Sequence, residues 1–164
     1  MQNSTLGWSL GVIFRGWHDG VTAALADFPH GARGHQILEF VAGGTLPSQV
    51  TLATHLGIDR TVLTYVIDDL VEAGVIERRA DAADRRVRRL AITEDGRTTL
   101  DALDARVAAA EEALLQDLSP EDQGLLRAVL DRAGAAVHHG QPGHDACSVV
   151  VDLIEPKAAQ RVAS

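Results

Sequence analysis

Apolar residues recur with two different periods along the chain, and these periods divide it into helices and one pair of strands. In residues 6–28, and again in residues 94–117, apolar side chains return every three or four positions, which is the repeat of one α-helical face. A further helix is expected after Ser119, because Pro120 and the acids behind it suit a first helical turn. The pattern predicts a mainly α chain with a small β-hairpin.

Two short helices are predicted close together in residues 45–74. Pro47 and Ser48 open an amphipathic run that Gly57 ends, and Asp59 can cap the next run, which continues to Gly74. Only Ile58 separates the end of one helix from the cap of the next. Two helices joined so tightly must cross steeply, which predicts a helix-turn-helix.

After these helices the apolar period shortens to that of a strand. Residues 75–79 and 87–92 are typical of β-strands, and the polar residues 80–86 suit a hairpin tip. Residues 78–89 hold six arginines and two aspartates, a local charge of +4 in a chain whose net charge is -8. Such focusing indicates a polyanion partner. The alternative is a solvated hairpin whose arginines pair with Glu77, Asp81 and Asp84.

Two segments carry a resemblance to a known family. LATHLGIDRTVLTYVIDDLVEAGVIERR and the following DRRVRRLAITEDG resemble the DNA-binding lobe of the MarR family of bacterial transcription regulators, and the agreement in residue type and spacing runs from about Leu6 to Val137. The resemblance implies one MarR-like domain over residues 1–164. Within it we expect a winged helix-turn-helix lobe in 31–93, a helical dimerisation lobe from 6–28 and 94–139, and a C-terminal extension in 140–164.

The resemblance also implies a homodimer that binds double-stranded operator DNA, usually as a repressor. The outward side chains of the second helix of the pair suit base edges and phosphates in a major groove, and the start of the first helix suits a phosphate. The DNA-contacting residues predicted on these two helices are Ser48, Gln49, Arg60, Thr61, Thr64 and Tyr65.

In the wing, the family pattern places an arginine in the minor groove and an aspartate two positions before it. These positions are Arg86 and Asp84, and a carboxylate there would hold the guanidinium in place. Arg85 and Arg88 are expected to face phosphates or solvent. The chain departs from many relatives at Tyr65 and Asp69, where basic residues are frequent, so the operator sequence cannot be transferred.

Family members often bind a small aromatic or carboxylate effector between the dimer helices and the DNA-binding lobe. A cation beside an aromatic wall suits such a ligand, and Arg15, Trp17, His18 and His35 are the candidates. The alternative is structural: Trp17 belongs to the apolar stripe, and the others are exposed, paired or hydrogen-bonded.

The remaining composition restricts other functions. The chain has no phosphate loop, dinucleotide fingerprint or recognisable catalytic triad, so we expect neither an enzyme nor a bound cofactor. It has no apolar run long enough to span a membrane and no basic start of a secretory signal. It contains a single cysteine, which agrees with a reducing compartment, so a cytoplasmic location is expected.

Two other regulators or binding modules remain open. The overall acidity, Tyr65 and Asp69 would suit a winged-helix protein-interaction module without specific DNA binding. A metal- or redox-responsive regulator could instead use a C-terminal cluster, although its spacing matches no standard zinc site. The members of that cluster are His138, His139, His144 and Cys147.

Overall fold

Helices make up most of the chain in its computed structural model, which describes residues 5–43, 49–56, 58–81 and 88–139. The elements are, in order, α1 (Leu6–Ala24), α2 (Gly31–Ala42), α3 (Gln49–Leu56), α4 (Arg60–Glu72), β1 (Ile76–Ala80), β2 (Arg88–Ile92), α5 (Glu94–Leu114) and α6 (Pro120–His139). This order confirms the predicted fold class, a mainly α winged helix-turn-helix with one hairpin.

Side-chain caps begin two of the helices where the sequence predicts them. The Asp59 carboxylate accepts the backbone N–H groups of Thr61 at 2.8 Å and Val62 at 3.3 Å, so α4 starts at the next residue. The Thr93 hydroxyl oxygen accepts the N–H of Gly96 at 2.8 Å and starts α5. Each cap satisfies amide donors that have no partner inside their helix.

The turn between the first two helices lies earlier than predicted. α1 ends at Ala24 and α2 begins at Gly31, whereas the apolar stripe suggested that the first helix continues to residue 28. The reason is that His30 and Gly31 adopt left-handed backbone conformations, with φ of 60° and 54°, which reverse the chain before Gly34. Phe28 stays buried although it lies outside the helix.

The core lies beneath the helix-turn-helix, where α2, α3, α4 and the hairpin meet the end of α1 and the first half of α5. The apolar side chains of α3 and α4 that face this core are buried, whereas Val50 at the start of α3 is half-exposed. The largest fully buried side chains are Leu25, Ile37, Leu38, Leu52, Leu56, Leu63, Val66, Ile67, Leu70, Ile76 and Leu90. This core fixes α4 with one face inward and the other towards solvent.

The hairpin is antiparallel, with Ile76 opposite Ile92 and Ala80 opposite Arg88. Its base is buried: Ile76, Leu90 and Ile92 all pack into the core, while the outer end is exposed. The hairpin is therefore anchored at its base, and its basic end points away from the core.

The apolar faces at the two ends of the described chain are not covered. The face of α6 that the sequence predicts to be buried is largely exposed in the single chain, and so is the first half of α1, because no other described element packs over them. The exposed apolar residues are Leu6, Trp8, Leu10 and Val12 in α1, Leu118 before α6, and Leu125, Val129, Leu130 and Val137 in α6. None of the described helices is long and apolar enough to cross a membrane.

Gly96 allows the first turn of α5 to lie directly against the backbone at the base of the wing. A Cβ atom at this residue would stand 2.0 Å from the carbonyl oxygen of Val75 and 2.9 Å from Cγ1 of Ile92. A carbonyl held between α4 and β1 cannot withdraw by more than an ångström without moving both elements. Gly96 is therefore required by close approach, not by a turn.

We predict that Gly96→Ala lowers the free energy of unfolding by at least about 2 kcal/mol, because the overpacking outweighs the gain in helix propensity. Asp101→Ala, an exposed change in the same helix, should stay within about 0.5 kcal/mol of the wild type. Urea unfolding followed by circular dichroism measures both. A Gly96→Ala protein as stable as the wild type would contradict the close approach.

Candidate nucleic-acid interface

The outward face of α4 carries four of the predicted DNA-contacting side chains. Arg60, Thr61, Thr64 and Tyr65 are all exposed, and Tyr65 exposes 66% of its surface. They face outward because Leu63, Val66, Ile67 and Leu70 occupy the opposite face and are buried. Val62, which the sequence left unassigned, joins the outward face with 45% of its surface exposed. The face thus combines a cation, hydroxyls and apolar groups.

The amino end of α4 is closed by its own cap. Because the Asp59 carboxylate accepts the N–H groups of Thr61 and Val62, these backbone hydrogen bonds lower the pKa of Asp59 below its ordinary value. The same two amides are not offered to a phosphate. Any contact to DNA at this end must come from the side chains, such as Arg60.

The second half of α4 carries two acids, and each is bound by a distant residue. Asp68 accepts a hydrogen bond from Arg78 of β1 at 2.5 Å, and Asp69 contacts Nε2 of His30, in the turn before α2, at 2.7 Å. Asp69 therefore ties α4 to that turn. Sequence reasoning missed both contacts because the partners are far apart along the chain.

Ion pairs hold several of the wing arginines. Arg79 contacts Glu77 and Arg89 contacts Asp81, each at 2.5 Å, as the alternative of a self-paired hairpin anticipated. Arg88, at the outer end of β2, is exposed. The Arg79–Glu77 pair is solvent-exposed and is worth about 0–1 kcal/mol, so this guanidinium can exchange its carboxylate for a phosphate at little cost. The Arg89–Asp81 pair is partly buried.

Part of the predicted interface lies outside the described residues. Ser48, Asp84, Arg85 and Arg86 are the residues concerned, and their predicted roles stay predictions. Gln49 is the first residue of α3 and is partly exposed.

The predicted effector residues on α1 lie around one aromatic side chain. The ring of Phe14 is 5.9 Å from that of Trp17 and stacks on His18 at 6.2 Å with an interplanar angle of 5°. Trp17 and His18 are half-buried, and Arg15 is exposed. A cation and aromatic groups therefore share this helix, and their role in effector binding stays a prediction.

Trp17 also belongs to a network that joins three helices. Its indole Nε1–H donates to Oε1 of Glu111 in α5 at 3.3 Å, and the other oxygen of Glu111 accepts from Arg127 of α6 at 2.6 Å. This carboxylate raises the pKa of Arg127. The network couples the side of α1 that bears Trp17 to both later helices.

His35 is buried where α2 packs against α5. Its Nε2 atom is 2.6 Å from Oδ1 of Asp104, and its Nδ1 atom is 3.6 Å from Oε2 of Glu39, one turn further along α2. The residue is 8% exposed. It is thus hydrogen-bonded, which is the structural alternative stated for it above.

The C-terminal cluster lies outside the described side chains. His138 and His139 end α6, but nothing is described of their side chains, and His144 and Cys147 follow the last described residue.

Comparison with known proteins places this fold. Residues 33–87 match the sequence model of the MarR family. The apo form of wild-type MarR from E. coli has a TM-score of 0.67 and 20% sequence identity, over 79% of this chain and 96% of that chain. The MarR family protein Rv2887 of Mycobacterium tuberculosis, in complex with DNA, has a TM-score of 0.68 and 21% identity, over 80% of this chain and 99% of that chain.

The same M. tuberculosis protein has also been solved in complex with p-aminosalicylic acid. That structure has a TM-score of 0.65 and 23% identity, over 79% of this chain and 98% of that chain. These likenesses establish the fold of MarR-type regulators over about four fifths of the chain, and the family match covers its helix-turn-helix and first strand.

The Asp59 cap leads to a pH-dependent prediction. Asp59→Ala should lower the melting temperature at neutral pH, and Asp59→Asn should lower it less because an amide oxygen still caps the helix. The folded-state pKa is below the ordinary value of 3.8, so the carboxylate's extra stabilisation is present above that pH and is lost as the pH falls through the lowered pKa.

Thermal unfolding followed by circular dichroism at pH 7 and in steps below pH 4 tests this. The gap between wild type and Asp59→Asn should narrow as the pH falls, and a constant gap would exclude the charged cap.

Proposed function

We propose that this chain, a winged helix-turn-helix protein of the MarR family, binds double-stranded operator DNA as a homodimer and represses the promoter it occupies. The observation that carries the proposal is the outward face of α4, which is exposed along its length beside a basic hairpin. A small domain that keeps a cation, two hydroxyl groups and an exposed tyrosine on one helical face presents the chemistry that major-groove recognition uses.

Each part of this face has a suitable DNA partner. We propose that Arg60 binds guanine or phosphate, and that Thr61 and Thr64 bind base edges through their hydroxyl groups. The Thr64 hydroxyl donates to the carbonyl of Arg60 at 2.8 Å, so its oxygen is left to accept a hydrogen bond. Val62 and Tyr65 supply apolar surface that suits thymine methyl groups.

The wing supplies phosphate affinity in this proposal. Arg88 is exposed at the outer end of β2, and the solvent-exposed pair of Arg79 with Glu77 can be exchanged for a phosphate contact at little cost. Arg86, with Asp84 before it, is proposed to enter the minor groove, and Arg85 to face the backbone. Ser48 and Gln49 are proposed to contact a phosphate at the start of α3.

A second copy of the chain is the proposed cover for the apolar faces of α1 and α6. Both faces expose large aliphatic or aromatic side chains. In a monomer these side chains would stay in contact with water, which is unfavourable, so such a patch marks an interaction site. A twofold dimer built on these helices would present two copies of α4 to half-sites about 34 Å apart, so a pseudo-palindromic operator is expected.

Release by a small aromatic acid is the proposed regulation. Arg15 could bind a carboxylate, and Trp17 and His18 could contact a ring, beside helices that the dimer would share. A relative of the same fold binds p-aminosalicylic acid. His35 is left out of this proposal, because Asp104 and Glu39 beside its ring would repel a carboxylate.

DNA titration of the purified protein tests the main proposal. Against its own upstream DNA and a scrambled duplex, the wild type should prefer the former and weaken steeply with salt. Arg88→Ala should weaken binding to all sequences and reduce the salt slope by about 0.9, whereas Arg60→Ala should cost about 1–3 kcal/mol and relax specificity.

Arg132→Ala removes an exposed arginine from α6 and serves as the control, with the DNA affinity expected to stay near the wild-type value. Weak binding that is equal for both duplexes and unaffected by Arg60→Ala and Arg88→Ala would reject operator binding. The self-paired wing would then favour a protein-interaction role.

Salicylate-type acids test the effector proposal. Acid binding can be followed by tryptophan fluorescence. A bound acid should lower the protein's affinity for DNA, and bound DNA should lower its affinity for the acid by the same factor. Arg15→Ala should weaken acid binding about tenfold or more, because a charge-assisted hydrogen bond is worth about 1.5–3 kcal/mol, and should leave DNA affinity unchanged.

Arg97→Ala, which removes an exposed guanidinium from α5, should change neither affinity. If an acid binds tightly and DNA affinity stays constant, effector control by that acid is excluded.

A further inference from the structure

Three side chains of metal-ligating type meet where α2 packs against α5. A nitrogen of His35 and one carboxylate oxygen each of Glu39 and Asp104 all lie within 4.8 Å of one another. In the part of the chain that the structure describes, no other three such groups come this close. His35 and Glu39 are four residues apart on one helix, a spacing that places two ligands on the same face.

The three groups differ in burial: the imidazole is buried and the two carboxylates are exposed. His35 is almost fully buried and has a fixed ring orientation, because Asp104 contacts its Nε2 atom at 2.6 Å. The side chains of Glu39 and Asp104 are 54% and 51% exposed. A rigid imidazole at the back and two adjustable carboxylates at the front leave a route for an ion from solvent.

The local charge also favours a cation. Two carboxylates face a single imidazole, so the cluster is negative whenever the imidazole is neutral. Burial raises the pKa of the Glu39 carboxyl, an effect that His35 opposes and the nearby charge of Asp104 reinforces. A divalent ion would relieve the repulsion between the two carboxylates.

We propose that His35, Glu39 and Asp104 form a binding site for a divalent first-row transition-metal ion, with zinc as the best-matched ion and water completing its coordination. Imidazole and carboxylate ligands suit such ions, and zinc accepts three protein ligands and an open position. The proposal goes beyond the proposed DNA-binding function and does not depend on it.

Metal binding requires both carboxylates to move. Ligand atoms about 2.0–2.1 Å from zinc stand roughly 3.3 Å apart in a tetrahedral site, so for an ion on Nε2 of His35 the Asp104 oxygen must withdraw by roughly 0.7 Å. The Glu39 carboxylate, which now contacts Nδ1, must turn towards Nε2, and both side chains are about half exposed and can rotate. The bound ion would then bridge α2, which belongs to the helix-turn-helix lobe, and α5, which leads from the wing towards α6.

The chain offers a matched contrast in the turn before α2. His30 contacts Asp69 at 2.7 Å, a histidine–carboxylate pair of almost the same length, and no third ligand group joins it among the residues that the structure describes. Changes at His30 and His35 therefore separate the loss of a histidine–carboxylate contact from the loss of a metal ligand.

Cobalt and zinc titrations of the full-length protein test the site. Co²⁺ binding is followed by visible absorption, and Zn²⁺ competition gives the affinity, for the wild type and for Glu39→Gln, Asp104→Asn, His35→Gln and His30→Gln. An absorption spectrum without sulfur-to-cobalt charge transfer distinguishes this site from any that uses Cys147. Circular dichroism of each variant shows whether it is folded. Glu39→Gln is the variant least expected to disturb the fold, because it keeps the contact between His35 and Asp104.

We expect the wild type to bind one ion per chain at a site with nitrogen and oxygen ligands. The affinity of this site should fall at least about tenfold in Glu39→Gln and Asp104→Asn and stay unchanged in His30→Gln. Absence of such binding by the wild type overturns the proposal. Wild-type affinity in Glu39→Gln also overturns it, even if Asp104→Asn has lost binding, because the site then lacks its third ligand.

Discussion

The contact between the first turn of α5 and the base of the wing is the constraint on which the rest of the fold depends. The Thr93 hydroxyl donates to the carbonyl of Gly74 at 2.7 Å and accepts from Gly96, while its N–H donates to the carbonyl of Val75 at 3.1 Å. One residue thus ends the hairpin, caps α5 and binds the loop that leaves α4. Because Gly96 has no side chain, the first turn of α5 meets this loop backbone to backbone.

Two histidine–carboxylate contacts join the remaining helices to this junction. His30 binds Asp69 on α4, and His35 binds Asp104 on α5, so α2 and the turn before it are held to both α4 and the helix that follows the wing. Each contact is polar and at least partly exposed, unlike the apolar core beneath it.

In the single chain, apolar faces of the outer helices α1 and α6 stay exposed. The core below α4 is fully packed, whereas the faces of α1 and α6 expose apolar residues such as Trp8, Leu125 and Val137. The periodicity of these segments is the same as that of a buried helix, because a helix that packs on its own chain and one that packs on a second copy need the same stripe. Periodicity alone therefore could not say what covers it.

Local chemistry determined the order of elements, since caps such as Asp59 and Thr93 and the change from helical to strand period act within a few residues. It also determined which side chains of α4 face outward, because a buried stripe leaves only one other face. Tertiary structure alone decided the left-handed turn at His30 and the partners of Asp69 and His35. Those contacts join residues tens of positions apart, and no local pattern encodes which distant side chain the folded core will bring within hydrogen-bonding distance.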